Sequence, residues 1–197
     1  MRLVVIGVIG LNGLGMALGM TGCDSDGGTC QGPMILPAES PKALGPFRVL
    51  ADGEVHQPGS PAIVPYEWTL FLQNDCGEPL KIDKVCVIGD GHNGDADDPS
   101  FLVEGPVPGT VQRGEAAAVR VTFDNDEPNR DRDDDGARDP DNVAIVVQSN
   151  ATNFPTLVVP VCALIVPRDE LASASFSCTS PLTVPAGKAD RTLCADE

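Results

Sequence analysis

Aromatic and basic residues are scarce in this chain. Six Phe, one Trp and one Tyr make up 4% of 197 residues, and 13 Lys and Arg face 29 Asp and Glu, for a net charge of −16. Nucleic-acid binding needs a basic footprint that displaces counterions, so this balance argues against it. The same charge suits solubility outside the cell and attracts divalent cations. Histidine is almost absent: only His56, in a Gly- and Pro-rich stretch, and His92, in an acidic one, and both read as surface residues. No C-x-x-C pair accompanies them, which argues against a zinc site. There is no G-x-S-x-G, and neither histidine is placed with a nucleophile. Paired carboxylates occur only in crowded acidic loops, whereas a glycosidase fixes its pair across a cleft. The chain therefore reads as a non-enzyme. Long apolar repeats of period 3.6 are also missing, so little helix is expected.

What is present begins with a leader. Arg2 precedes an apolar stretch from Leu3 to Met20, interrupted by Asn12 and by Gly7, Gly10, Gly13, Gly15 and Gly19, and ending in Thr21-Gly22-Cys23. A basic start, an apolar segment and small residues at the cut make a secretory signal. Small residues directly before a cysteine are the bacterial lipoprotein variant, in which the thiol of Cys23 is acylated and becomes the first mature residue. The position three before the cysteine, commonly Leu, is here Met20. An uncleaved span of about 20 residues is the alternative, and the glycines weigh against it. Acyl chains on Cys23 would contribute about 0.8 kcal/mol per buried CH₂ and hold the protein to a membrane. The expected location is the bacterial cell envelope, facing the periplasm or the surface.

With Cys23 assigned to lipid, six cysteines remain: Cys30, Cys76, Cys86, Cys162, Cys178 and Cys194. An even number suits disulfides in an oxidising compartment, and sequence does not choose the pairing. The short spacing of Cys178 and Cys194 suggests that these two close a loop in the tail.

Residues 23–46 are rich in Gly, Pro and Ser without periodicity and read as a tether after the 1–22 signal peptide. From Phe47 onward, short apolar runs alternate with Gly, Pro, Asn and Asp, the mark of a sandwich or barrel. Strands are expected over Tyr66–Gln73, Leu80–Ile82, Val85–Ile88, Phe101–Glu104, Ala116–Phe123, Val143–Ser149 and Thr156–Val166. In the first, Tyr66, Trp68, Leu70 and Leu72 share one face, and Trp68 reads as a core residue. In the fifth, Val119, Val121 and Phe123 alternate with Arg120 and Thr122, one face buried and one wet. The expectation is an all-β, immunoglobulin-like β-sandwich of about seven strands over 47–166, followed by a Cys-containing tail over 167–197. In that tail Phe176, Leu182, Val184 and Leu193 suffice for a small hairpin.

Three segments carry a family resemblance. Asn74-Asp75-Cys76-Gly77-Glu78-Pro79-Leu80-Lys81-Ile82, then Gly114-Glu115 with Ala118-Val119-Arg120-Val121-Thr122-Phe123, then Gln148-Ser149-Asn150-Ala151 with Pro155, Leu157, Val159 and Pro160 stand in order. Together they resemble the bacterial Ig-like repeats known as choice-of-anchor D domains, which are related to Hydin-type and major-sperm-protein-like sandwiches. The residues themselves agree: Asn74 and Gly77 are turn formers, and Leu80 and Ile82 point back to a core. The resemblance implies a spacer, adhesion or protein-binding module. The chain departs from it at Cys76 and in an enlarged loop after Phe123.

That loop, Asp124 to Asn142, holds nine carboxylates and three arginines. Asp131, Asp133, Asp135, Gly136 and Asp139 reproduce the D-x-D-x-D-G-x-x-D spacing of calcium loops. Alternate side chains in a tight turn converge on one point, and a hard cation takes about 6–8 oxygens at about 2.3–2.6 Å. The expected Ca²⁺ ligands are Asp131, Asp133, Asp135, the carbonyl of Ala137, Asp139 and Asn142, the last in place of the bidentate Glu of an EF-hand. The alternative is a solvated acidic insertion offset by Arg130, Arg132 and Arg138. Asp90–Asp98 reads as a polar loop that could hold a further ion.

Sequence thus points to a non-catalytic envelope lipoprotein that binds an envelope protein or surface polymer. The alternatives are a passive spacer and the accessory subunit of an envelope enzyme.

Overall fold

The computed structural model describes residues 32–37, 40–49, 55–56, 65–104, 109–167, 169 and 176–194, without the side chains of 48, 49, 55 and 56. The signal peptide, Cys23 and Cys30 lie outside the described residues. So does the side chain of His56.

The described residues hold ten strands and no helix: β1 Ile35–Pro37, β2 Lys42–Val49, β3 Val55–His56, β4 Tyr66–Asn74, β5 Leu80–Gly89, β6 Phe101–Glu104, β7 Gly109–Val111, β8 Ala116–Phe123, β9 Asp141–Ser149 and β10 Thr156–Val166. They form a four-stranded sheet in the order β1-β4-β8-β6 and a six-stranded sheet in the order β3-β2-β10-β9-β5-β7. Every pairing is antiparallel except β2 with β10, which is parallel. The protein is all-β, with two sheets around a shared core, as a β-sandwich requires.

The core forms because each sheet turns one face inward. Leu70 and Leu72 of β4 and Val119, Val121 and Phe123 of β8 meet Ile145 and Val147 of β9 and Val159, Val161 and Ile165 of β10. Tyr66 and Trp68 pack against this cluster, as the alternation in β4 predicts, while Glu67, Phe71 and Gln73 face out. Phe123 lies against both Phe47 and Phe101, with ring centroids 5.4 and 5.1 Å apart.

Several expectations need correction. The two runs Leu80–Ile82 and Val85–Ile88 are one strand, β5, with a register shift between Ile82 and Lys84. The tether does not extend to residue 46: Ile35–Pro37 pairs with β4 and β2 begins at Lys42. Gly and Pro disguised β2, since Gly45 has a φ of 96° and an added Cβ would lie 2.7 Å from the Phe47 nitrogen and 2.9 Å from the Leu164 oxygen. Thr122, expected on the wet face, is buried, because the β6 edge lies beside it. Gly77 takes no positive φ. Its turn is held instead by buried Asn74, whose Nδ2 donates to Glu78 O and Val111 O and whose Oδ1 accepts from Cys76 N.

The tail also differs from expectation. Cys178 and Cys194 are not paired with each other. Cys86 of β5 bonds to Cys194, and Cys162 of β10 bonds to Cys178. Cys76 is disulfide-bonded as well. No hairpin forms over 176–194. The tail lies across the outer face of the larger sheet, where Leu182 and Leu193 pack on Cys86, Ala144 and Val146. Covered on both faces, β9 is buried at every position but Asn142. This double burial is why its sequence runs apolar without alternating.

Candidate metal-binding loop and its buried base

The enlarged loop stands between β8 and β9, and its base is more ordered than its composition suggests. Asn129 is fully buried. Its backbone N–H donates to Ile165 O at 3.0 Å, and its Oδ1 accepts from Ile165 N at 2.7 Å. One residue thereby pairs with the end of β10 as a strand would, satisfying both backbone groups of Ile165. The Asn129 carbonyl also accepts from Arg138, and its Nδ2 donates to Asp141 Oδ1 at 2.9 Å. The two stems of the loop are thus closed on each other.

Asp141, the first residue of β9, is fully buried and accepts four hydrogen bonds. Oδ1 takes Asn129 Nδ2 and the backbone N–H of Asn93 (2.9 Å), and Oδ2 takes His92 Nδ1 (2.7 Å) and the Ser100 hydroxyl (3.1 Å). Four donors supply what a buried carboxylate needs in place of water. His92 is therefore not a surface residue: it is 3% exposed, and its Nε2 has no partner. Asp141 also welds the two acidic loops together, reinforced where Arg130 N donates to Asn93 Oδ1 at 2.7 Å.

Above this base, Asp131, Asp133 and Asp139 each offer an oxygen within 4.8 Å of the others. The turn that gathers them is built from side-chain-to-backbone hydrogen bonds: Asp135 N to Asp131 Oδ1 and Asp133 Oδ1, Gly136 N to Asp131 Oδ2, and Ala137 N to Asp135 Oδ1. Asp134 and Gly136 take left-handed φ of 60° and 90°, which turns the chain back sharply. Of the expected ligands, three converge. Asp135 stands outside that group and caps Ala137 instead. Asn142 is turned away: its Nδ2 donates to Pro140 O and its Oδ1 accepts from Thr179 N of the tail. Arg132 competes for Asp139, with its N–H on Oδ2 at 2.7 Å and its Nε 3.7 Å away.

Ser100, His92 and Asp141 are the residue types of a hydrolase triad, but their order is wrong for one. A triad places imidazole between hydroxyl and carboxylate. Here the carboxylate lies between the other two, and the ring nitrogen that would receive a serine proton touches no partner. Sequence reasoning missed this cluster, since His92, Asn129 and Asp141 look like ordinary loop residues.

No family model and no curated protein matches the chain. Among solved structures it is similar to the secreted serine protease VesC from Vibrio cholerae, at 11% identity and a TM-score of 0.45, over 67% of this chain and 23% of that one. The chain thus spans about a quarter of that protein's length, and a likeness this distant carries no argument about activity.

Proposed function

We propose that this protein is a non-catalytic envelope lipoprotein, anchored through Cys23, whose Ig-like body binds another envelope protein or a surface polymer and holds one Ca²⁺ in the 131–139 loop. The observation that carries the metal reading is the convergence of Asp131, Asp133 and Asp139 on a loop whose base is locked. Fixed oxygens lose less entropy on binding than mobile ones.

The topology supports the Ig-like reading. With β2, β3 and β7 set aside, the remaining seven strands, taken in chain order, lie as first-second-fifth-fourth in one sheet and third-sixth-seventh in the other. That order matches the one described for constant-type immunoglobulin domains, and this match is what supports the reading. Two departures mark the chain: no disulfide joins the two sheets at the second and sixth of these strands, and Trp68 stands on the second rather than the third.

Calorimetry on the soluble body, residues 24–197, beside the D131N/D133N/D139N variant tests the metal reading. Binding that disappears in the variant supports it. No binding by either protein returns the loop to a solvated insertion neutralised by Arg132, and the spacer reading then leads.

A further inference from the structure

Among the described residues, the outer edges of β6 and of most of β5 carry no further strand. Among the described residues β6 pairs with β8 alone, and β5 from Lys84 to Gly89 pairs with β9 alone, because β7 covers only Leu80–Ile82. Between these two edges lies a cleft of about 390 Å³ lined by Val87 of β5, Phe101 to Val103 of β6, Val143 of β9 and the loop that joins β5 to β6. That volume is within the range of ligand sites. Leu102, 47% exposed, is one of two large apolar side chains standing open on the surface among the described residues. An unpaired edge presents a row of backbone donors and acceptors, and natural proteins protect such rows with charges, proline or cover. Here Phe101-Leu102-Val103 itself carries neither charge nor proline, which stand only beyond its ends as Glu104 and Pro99.

The rim is acidic. In the loop that joins β5 to β6, Asp90, Asp95, Asp97 and Asp98 are exposed, and Glu104 is exposed at the far end of β6. Arg120 faces Glu104 at 3.5 Å. A second copy of the chain fits this rim poorly: two β6 edges pairing antiparallel would bring the 90–98 carboxylates of one against Glu104 of the other. A basic partner does not meet that repulsion.

We propose that this side accepts an extended strand of a partner protein, paired to the free edge of β6, with apolar side chains at alternate positions entering the cleft and a Lys or Arg beside them facing Asp90–Asp98. It rests on the binding-module reading and names the kind of partner. Backbone pairing supplies affinity, and the pockets for alternate side chains supply selectivity.

The test uses the disulfide-bonded protein and a short synthetic peptide of alternating Val and Thr with Lys at both ends. Hydrogen exchange followed by NMR reads the β6 amides that point away from β8. At saturating peptide these amides are expected to exchange about tenfold more slowly. The same peptide methylated on alternate backbone nitrogens, or with Glu for Lys, is expected to give no protection. Leu102→Lys, on an exposed side chain, is expected to weaken binding at least tenfold while leaving the fold's exchange pattern intact. Unprotected β6 amides at every peptide concentration would overturn the proposal, as would equal protection by the methylated peptide. Protection that grows with protein concentration alone would assign the edge to a second copy and overturn it too. Cross-links in intact cells that join one recurrent partner through another surface would sink this edge but keep the binding-module reading; the absence of any recurrent partner would sink that reading.

Discussion

Replacing Asp141 with Ala should be among the most destabilising single changes in this molecule. The substitution strips the acceptor from His92 Nδ1, the Ser100 hydroxyl, Asn129 Nδ2 and Asn93 N–H, and the first three of these residues are themselves buried. A buried donor left unsatisfied costs about 1–3 kcal/mol. Relief from burying a carboxylate, and water entering the space, offset part of three such losses, leaving about 3–5 kcal/mol. Asp141→Asn should be milder, about 1–2 kcal/mol, because Oδ1 stays an acceptor for Asn93 and Asn129 while the Ser100 hydroxyl rotates, and His92 changes tautomer, so that both accept from the new amide. Urea unfolding with disulfides intact measures both. With a slope of about 1–3 kcal/mol per molar, the Ala variant should unfold more than about 1 M earlier than the parent. A shift below about 0.3 M, or an Asn variant as damaged as the Ala variant, would refute the assignment of Asp141 as the hub of this network.

Two further predictions concern the tail. The Cys86–Cys194 bond spans 108 residues and Cys162–Cys178 spans 16. Chain entropy assigns them about 4.7 and about 3 kcal/mol, so C86S/C194S should lower the urea midpoint more than C162S/C178S; the reverse order would show that native packing, not loop closure, dominates. Asp190 accepts from the Thr192 side chain and then its backbone N–H, which hold its pKa below the ordinary value. Its stabilising contribution is therefore complete above the ordinary aspartate value of about 3.9 and is lost as pH falls through the depressed one. In an NMR titration Thr192→Ala should move the Asp190 midpoint upward, and an unmoved midpoint would count against that bond.

The parts of this architecture legible in the sequence are those where one short period decides burial. Strands β4, β6, β8 and β10 follow from their apolar patterns and from flanking turn residues. Strands β1, β2, β3 and β7 escaped because they are short or interrupted by Gly45-Pro46, so that partners distant in sequence, and not local pattern, make them strands. Convergence of Asp131, Asp133 and Asp139 was readable, since the spacing acts within one turn. The role of Asp141 was not: one carboxylate among nine in its loop looks like the rest until His92, 49 residues away, is brought to it. Its one signal is position, two residues before the apolar run that starts at Val143. Disulfide connectivity was hidden for the same reason, as each tail cysteine bonds to a strand rather than to its neighbour.

The tail that covers Ala144 and Val146 has a consequence for biosynthesis. A chain is made from its N-terminus, so all ten described strands emerge before residues 176–194 do. Through that interval the outer face around Ala144 and Val146 of β9, with Ile88 of β5 and Val158 of β10, stays bare on an otherwise finished sheet, and Cys86 waits for a thiol that arrives later. Maturation ends when a thiol oxidant joins Cys86 to Cys194 and the last segment seals that face, which makes a chain cut short before residue 194 prone to aggregate although all its strands are present.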